Sequence, residues 1–173
     1  MTASLTNQET RNGQRIRRGL TKHKAVDGYI SRVCTSDQSE NNFIYYVLGK
    51  KERHTLADYV TGVEETSTNK IVLYSSAQTG KTTELKQLCW ELQQSGLYLP
   101  VSFEVRTNTK LKRDDLPESQ YVDGREVVLV IDALDEVNGQ KYEDLLEEIG
   151  GYAYEHPEMK MVLSCRSNFR RER

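Results

Sequence analysis

An α/β fold built on a mainly parallel sheet is what this sequence predicts, and three observations predict it. Short apolar runs recur at Ile71–Tyr74, Val127–Ile131 and Met159–Cys165. Stretches with helical spacing separate them, with Leu85, Leu88, Cys89 and Leu92 on one face and Tyr142, Leu145, Leu146 and Ile149 on another. The strand–helix alternation places the helices in layers against the sheet, a three-layer architecture.

Each element has its own signal. Ile71–Tyr74 is a short strand, and Thr82–Ser95 a helix with Gly96 placed to stop it. Leu99–Arg106 alternates, with Val101, Phe103 and Val105 on one side. Pro100 lacks a ladder donor and makes that strand an edge strand. Val127–Ile131 is a continuous β-branched and leucine run, expected of a strand buried on both faces. Met159–Cys165 is the fourth strand. Upstream, Phe43–Leu48 is apolar, and Leu56, Tyr59, Val60 and Val63 have helical spacing.

Composition bounds the function classes. The 173 residues suit one domain, with 36% apolar and 29% charged residues and a net charge of −2. No global field draws such a chain to nucleic acid or membrane. The basic stretch Arg15–Lys24 lacks interleaved aromatics and reads as a solvated tail, so a nucleic-acid partner is not expected. The longest apolar run, Val127–Ile131, is too short to span a bilayer. Met1–Gly13 is polar and has no secretory pattern. Residues 1–28 are expected to be a flexible segment ahead of a core over 29–173. Cys34, Cys89 and Cys165 lack metal-ligand spacing and read as reduced thiols of a cytoplasmic protein.

Two motifs carry chemistry. Ser75-Ser76-Ala77-Gln78-Thr79-Gly80-Lys81-Thr82 matches G-x-x-x-x-G-K-[ST] except at its first position, with a strand before and a helix after. In such a loop, backbone N–H groups wrap a β-phosphate at a helix N-terminus. Gly80 allows close approach, Lys81 supplies a point charge, and the Thr82 hydroxyl is a hard ligand for Mg2+. Thr83 completes the set. Ser75 stands where the motif has Gly, and its φ must stay negative for the loop to form.

The second motif is Val127–Glu136. Its apolar strand delivers Asp132 to the carboxyl end, where open parallel sheets bind ligands. Asp132 there can hold Mg2+ through a water opposite Thr82, and Asp135 or Glu136 can polarise an attacking water. Met161–Arg166 repeats the geometry, and Arg166 can respond to γ-phosphate charge. The expected arrangement is two neighbouring strand tips, lysine and threonine on one and aspartate on the other. An ordinary strand–turn–helix with a solvated lysine is the rival reading of the loop alone.

Ser75–Thr83, Val127–Glu136 and Ser164-Cys165-Arg166 together resemble the NACHT group of STAND signal-transduction ATPases, most of all its bacterial members. The resemblance runs from about Tyr29 to the end and implies a P-loop NTPase fold. It also implies an ATP/ADP-switched core that uses Mg2+, can self-associate when opened, and in bacterial relatives serves antiphage defence. It places Lys81 and Thr82 on phosphate and metal, Asp132 on the metal water, Asp135 or Glu136 in hydrolysis, and Arg166 at the first sensor position. Val47–Glu52, with Arg53, His54 and Leu56 beside it, resembles the segment that contacts adenine. The usual proline after the sensor arginine is Ser167 here.

Set against that family, Thr107–Arg125 is short and the chain ends at Arg173. A C-terminally truncated core is therefore expected, slow or impaired in hydrolysis without the missing lid, with self-association or a partner chain supplying the missing domains as the expected association. Its phosphate-loop strand would be an exposed edge. The alternatives are a AAA+ ATPase or small kinase, and a non-enzymatic fragment that scaffolds through its sheet edge. No guanine-reading Asn-Lys-x-Asp segment is present, which favours ATP over GTP.

Overall fold

A computed structural model describes residues 23–25, 34–38, 44–48, 55–62, 69–75, 78–105, 111–134, 137 and 140–166. Apart from 23–25, the expected N-terminal segment lies outside these, as do Lys50, Arg53 and His54 in and beside the segment expected from the resemblance to contact adenine.

The described chain forms one mixed sheet of seven strands. In order they are β1 (Cys34–Gln38), β2 (Ile44–Leu48), β3 (Lys70–Ser75), β4 (Tyr98–Glu104), β5 (Tyr121–Val122), β6 (Arg125–Asp132) and β7 (Lys160–Arg166). The helices are α1 (Leu56–Thr61), α2 (Lys81–Ser95) and α3 (Gln140–Glu155), with a 3-10 turn at Arg113–Asp115. The lateral order is β1-β2-β3-β7-β6-β4, with β5 paired to β6. From β2 through β4 every neighbouring pair is parallel. β1 and β5 pair antiparallel with β2 and β6.

Two expectations are corrected by this order. The phosphate-loop strand β3 is interior, because the Phe43–Leu48 run supplies a parallel neighbour, with Ile44 opposite Ile71. The tips of β3 and β6 are not adjacent, because β7 lies between them. The edge position expected of the Pro100 strand holds: β4 ends the strand order. The connection from β4 to β6, short enough to leave room for one small helix at most, contains the 3-10 turn and the β5–β6 hairpin among its described residues.

Strand parity sorts the core into two clusters. Ile71, Leu73, Val128, Val130 and Val162 pack with Leu56, Tyr59 and Val60 of α1 and Leu85, Leu88, Cys89 and Leu92 of α2. Their alternates Val72, Leu129, Ile131, Met161, Leu163 and Cys165 pack with Tyr142, Leu145, Ile149 and Tyr152 of α3. Helices thus cover both faces. Leu129, Ile131 and Leu73 are fully buried, and side chains of this size contribute roughly 1.5–3 kcal/mol each on burial.

Local chemistry fixes the helix ends. Thr55 and Asp58 form a capping box on α1: the Asp58 N–H donates to Thr55 Oγ1 at 3.2 Å and the Thr55 N–H to Asp58 Oδ2 at 2.7 Å. α2 stops at Gly96, as expected, with φ at 71°. α3 clamps the turn before β5. The Arg113 N–H donates to Glu148 Oε2 at 3.1 Å, the Arg113 guanidinium pairs with Glu155, and the Tyr152 hydroxyl donates to the Pro117 carbonyl at 2.7 Å. Among the described residues, no helix is long and apolar enough to cross a membrane.

Candidate functional site

The carboxyl ends of β3, β7 and β6 lie side by side in parallel register. Ser75 pairs with Arg166, Leu73 with Ser164, and Ile131 with Leu163. This edge of the sheet receives the loop that enters α2.

Ser75 closes β3 in extended backbone, so serine at the motif's first position meets the condition of a negative φ. Ser76 and Ala77 lie outside the described residues. Gln78 is exposed and left-handed, with φ at 59°, and Gly80 follows with φ at 86°. Among its described residues the loop thus bends through positive φ twice. Glycine does this without a Cβ penalty, whereas Gln78 is strained by about 1 kcal/mol or more.

Gly80 is the N-cap of α2 and has no side chain to cap the helix. Its carbonyl accepts the Glu84 N–H at 2.9 Å. Lys81, Thr82 and Thr83 form the half-buried first turn, whose N–H groups carry the positive end of the helix dipole. Thr79 is half-buried beside them.

Asp132 ends β6 and is 9% exposed. It shares strand parity with Val128 and Val130, which pack against α2. The acid therefore projects from the face that α2 covers. Its charge is felt there: burial first, and the Asp132 carboxylate second, push the Cys89 thiol up to about 12.

The structure adds two residues to this end of β6. The fully buried Ser164 hydroxyl donates to Asp132 Oδ1 and accepts the Ala133 N–H at 2.9 Å. Ala133 is left-handed, with φ at 64°. Sequence reasoning stopped at Arg166 and passed over Ser164. The available signal was the one hydroxyl in the apolar run Met161–Cys165, two residues before the arginine.

Arg166 ends β7 and is exposed, on the same strand parity as Ser164. Asp135 and Glu136 lie outside the described residues. The positions on either side of them, Leu134 and Val137, are buried in the α3-side cluster.

The donor set suits a hard cation. Thr82 and Asp132 offer oxygens, and among the described residues only Ser164 hydrogen-bonds to the Asp132 carboxylate. Ser164 engages Oδ1 of that carboxylate. No three His, Cys, Asp or Glu side chains converge among the described residues. Mg2+ commonly takes only one or two protein oxygens, with waters and phosphate completing its shell. Against family models the chain finds no match, and it finds none against curated proteins.

Proposed function

We propose that this chain is a P-loop nucleotide-binding core of the STAND type that takes Mg-ATP and Mg-ADP at the shared ends of β3, β7 and β6. One observation carries the reading. A loop of the Ser75–Thr82 pattern runs from a parallel strand into a helix N-terminus, and Asp132 projects at the same sheet edge from the face that this helix covers.

In this reading the loop's backbone N–H groups and the first turn of α2 bind the β-phosphate. Lys81 neutralises the β- and γ-phosphate oxygens. Thr82 and, through a water, Asp132 hold Mg2+, which when bound offsets charge on the phosphates. Asp135 or Glu136 orients the attacking water, a role that comes from the family resemblance. Arg166, beside Ser75, faces the γ-phosphate and distinguishes triphosphate from diphosphate. Turnover is slow, and the nucleotide acts as a switch that controls association with further copies or a partner chain. A cytoplasmic place and a part in antiphage defence belong to the same proposal.

The test is thermal unfolding with and without nucleotide and Mg2+. Mg-ADP and Mg-ATP raise the midpoint of the wild-type chain, and Lys81→Ala removes the increase. A wild-type midpoint that ignores nucleotide, or a Lys81→Ala response equal to wild type, contradicts the reading.

A further inference from the structure

We propose that Ser164 is a positioning residue for the metal site, orienting the Asp132 carboxylate from the strand that separates β3 and β6. The inference rests on the nucleotide reading above and deepens it.

The geometry commits the proton of this hydroxyl and one of its lone pairs. Ser164 is wholly buried, so water does not compete for it. Its oxygen accepts the Ala133 N–H at 2.9 Å, and its proton therefore goes to Asp132 Oδ1. A hydroxyl that donates to a carboxylate makes a strong, charge-assisted bond. That bond restrains the rotation of the carboxyl group and leaves Oδ2 without a share in it. The same hydroxyl holds Ala133 in a left-handed conformation that ordinarily costs an alanine about 1 kcal/mol or more. One side chain of β7 thus sets both the acid and the chain turn that follows it.

Position in the sheet gives this contact a second consequence. Ser164 lies opposite Leu73 of β3 and two residues before Arg166, which lies opposite Ser75. β7 consequently touches the phosphate-loop strand on one side and the metal-side acid on the other.

The chemistry predicts a metal-specific defect. Outer-shell partners of this kind are worth about 10- to 100-fold in metal affinity. Calorimetric titration of ADP into the full chain, once in excess Mg2+ and once in EDTA, gives the affinity gained from the metal as a ratio within each variant. Ser164→Ala is expected to leave the affinity in EDTA unchanged and to lower the Mg2+ gain about tenfold. Ser164→Thr, which keeps the hydroxyl, is expected to retain the gain. A Ser164→Ala gain equal to wild type, or a loss in Ser164→Thr equal to that in Ser164→Ala, overturns the positioning role. A wild-type chain with no Mg2+ gain overturns the nucleotide reading and this inference together.

Discussion

Ser75 and Arg166 are register partners at the ends of β3 and β7. The residue that opens the loop and the arginine of the neighbouring strand are therefore held a strand spacing apart, about 4.8 Å between backbones. In the nucleotide reading proposed above, the exposed Arg166 side chain meets the most distal phosphate. Arg166→Ala is expected to weaken ATP binding about tenfold and to leave ADP binding within twofold, read by paired titrations. An equal loss for both nucleotides would make Arg166 a general anion contact.

Gly150 lies inside α3 with helical backbone and nothing within 4 Å of an added Cβ. A glycine there costs about 0.5–1 kcal/mol relative to alanine. Gly150→Ala is expected to stabilise the chain by that amount, raising the melting midpoint by about 1–4 °C. A lowered midpoint would show that α3 needs local freedom at this position.

Lys70 begins β3 and is buried, with its ammonium donating to the carbonyls of His156 at 2.8 Å, Pro157 at 3.5 Å and Met159. Burial lowers its pKa from 10.5 to about 8, and the Glu158 carboxylate offsets part of that. The sign follows from linkage. Below about pH 8 both states carry the proton, and the cost of burying the charge is fully present. Between about 8 and 10.5 the unfolded chain keeps the proton that the folded chain has released, so stability rises with pH. Urea unfolding of wild type and Lys70→Met across this window should give a rise of about 1–2 kcal/mol, discounted for solvent screening, in wild type alone. Parallel profiles for the two proteins would contradict the assignment.

Cys89 and Cys165 are buried thiols in no disulfide, and Cys89 is held far from its thiolate form by burial and by Asp132. Both are expected to resist iodoacetamide at pH 8 in the folded chain and to react on unfolding, as peptide mass mapping would read. Rapid labelling of Cys89 in the folded chain would mean that α2 lifts from the sheet.

These outcomes also mark what was legible in the sequence. Val127–Ile131 announced a buried strand because an unbroken β-branched run has few other uses, and Asp132 at its end followed directly. The loop around Gly80 and Lys81 was legible because its spacing is local. Lateral strand order was not. That β7 inserts between β3 and β6, and that Phe43–Leu48 pairs with β3, depends on long-range register that no local window contains. Ser164 stood out as a lone hydroxyl in an apolar strand, but its role was not legible for the same reason, since it acquires meaning only when Asp132 is found beside it. Gln78 at a left-handed position is a local conflict of the sort that collects at functional loops.

The central claim, that a triphosphate and its magnesium lie between the Lys81–Thr82 turn and Asp132, is tested most directly by calorimetric titration of Mg-ATP and Mg-GTP into wild type and Asp132→Asn. The account predicts saturable binding to wild type with ATP preferred, and loss of most of the Mg2+-dependent affinity in Asp132→Asn. No binding to wild type, or a Mg2+ dependence in Asp132→Asn equal to wild type, would contradict it.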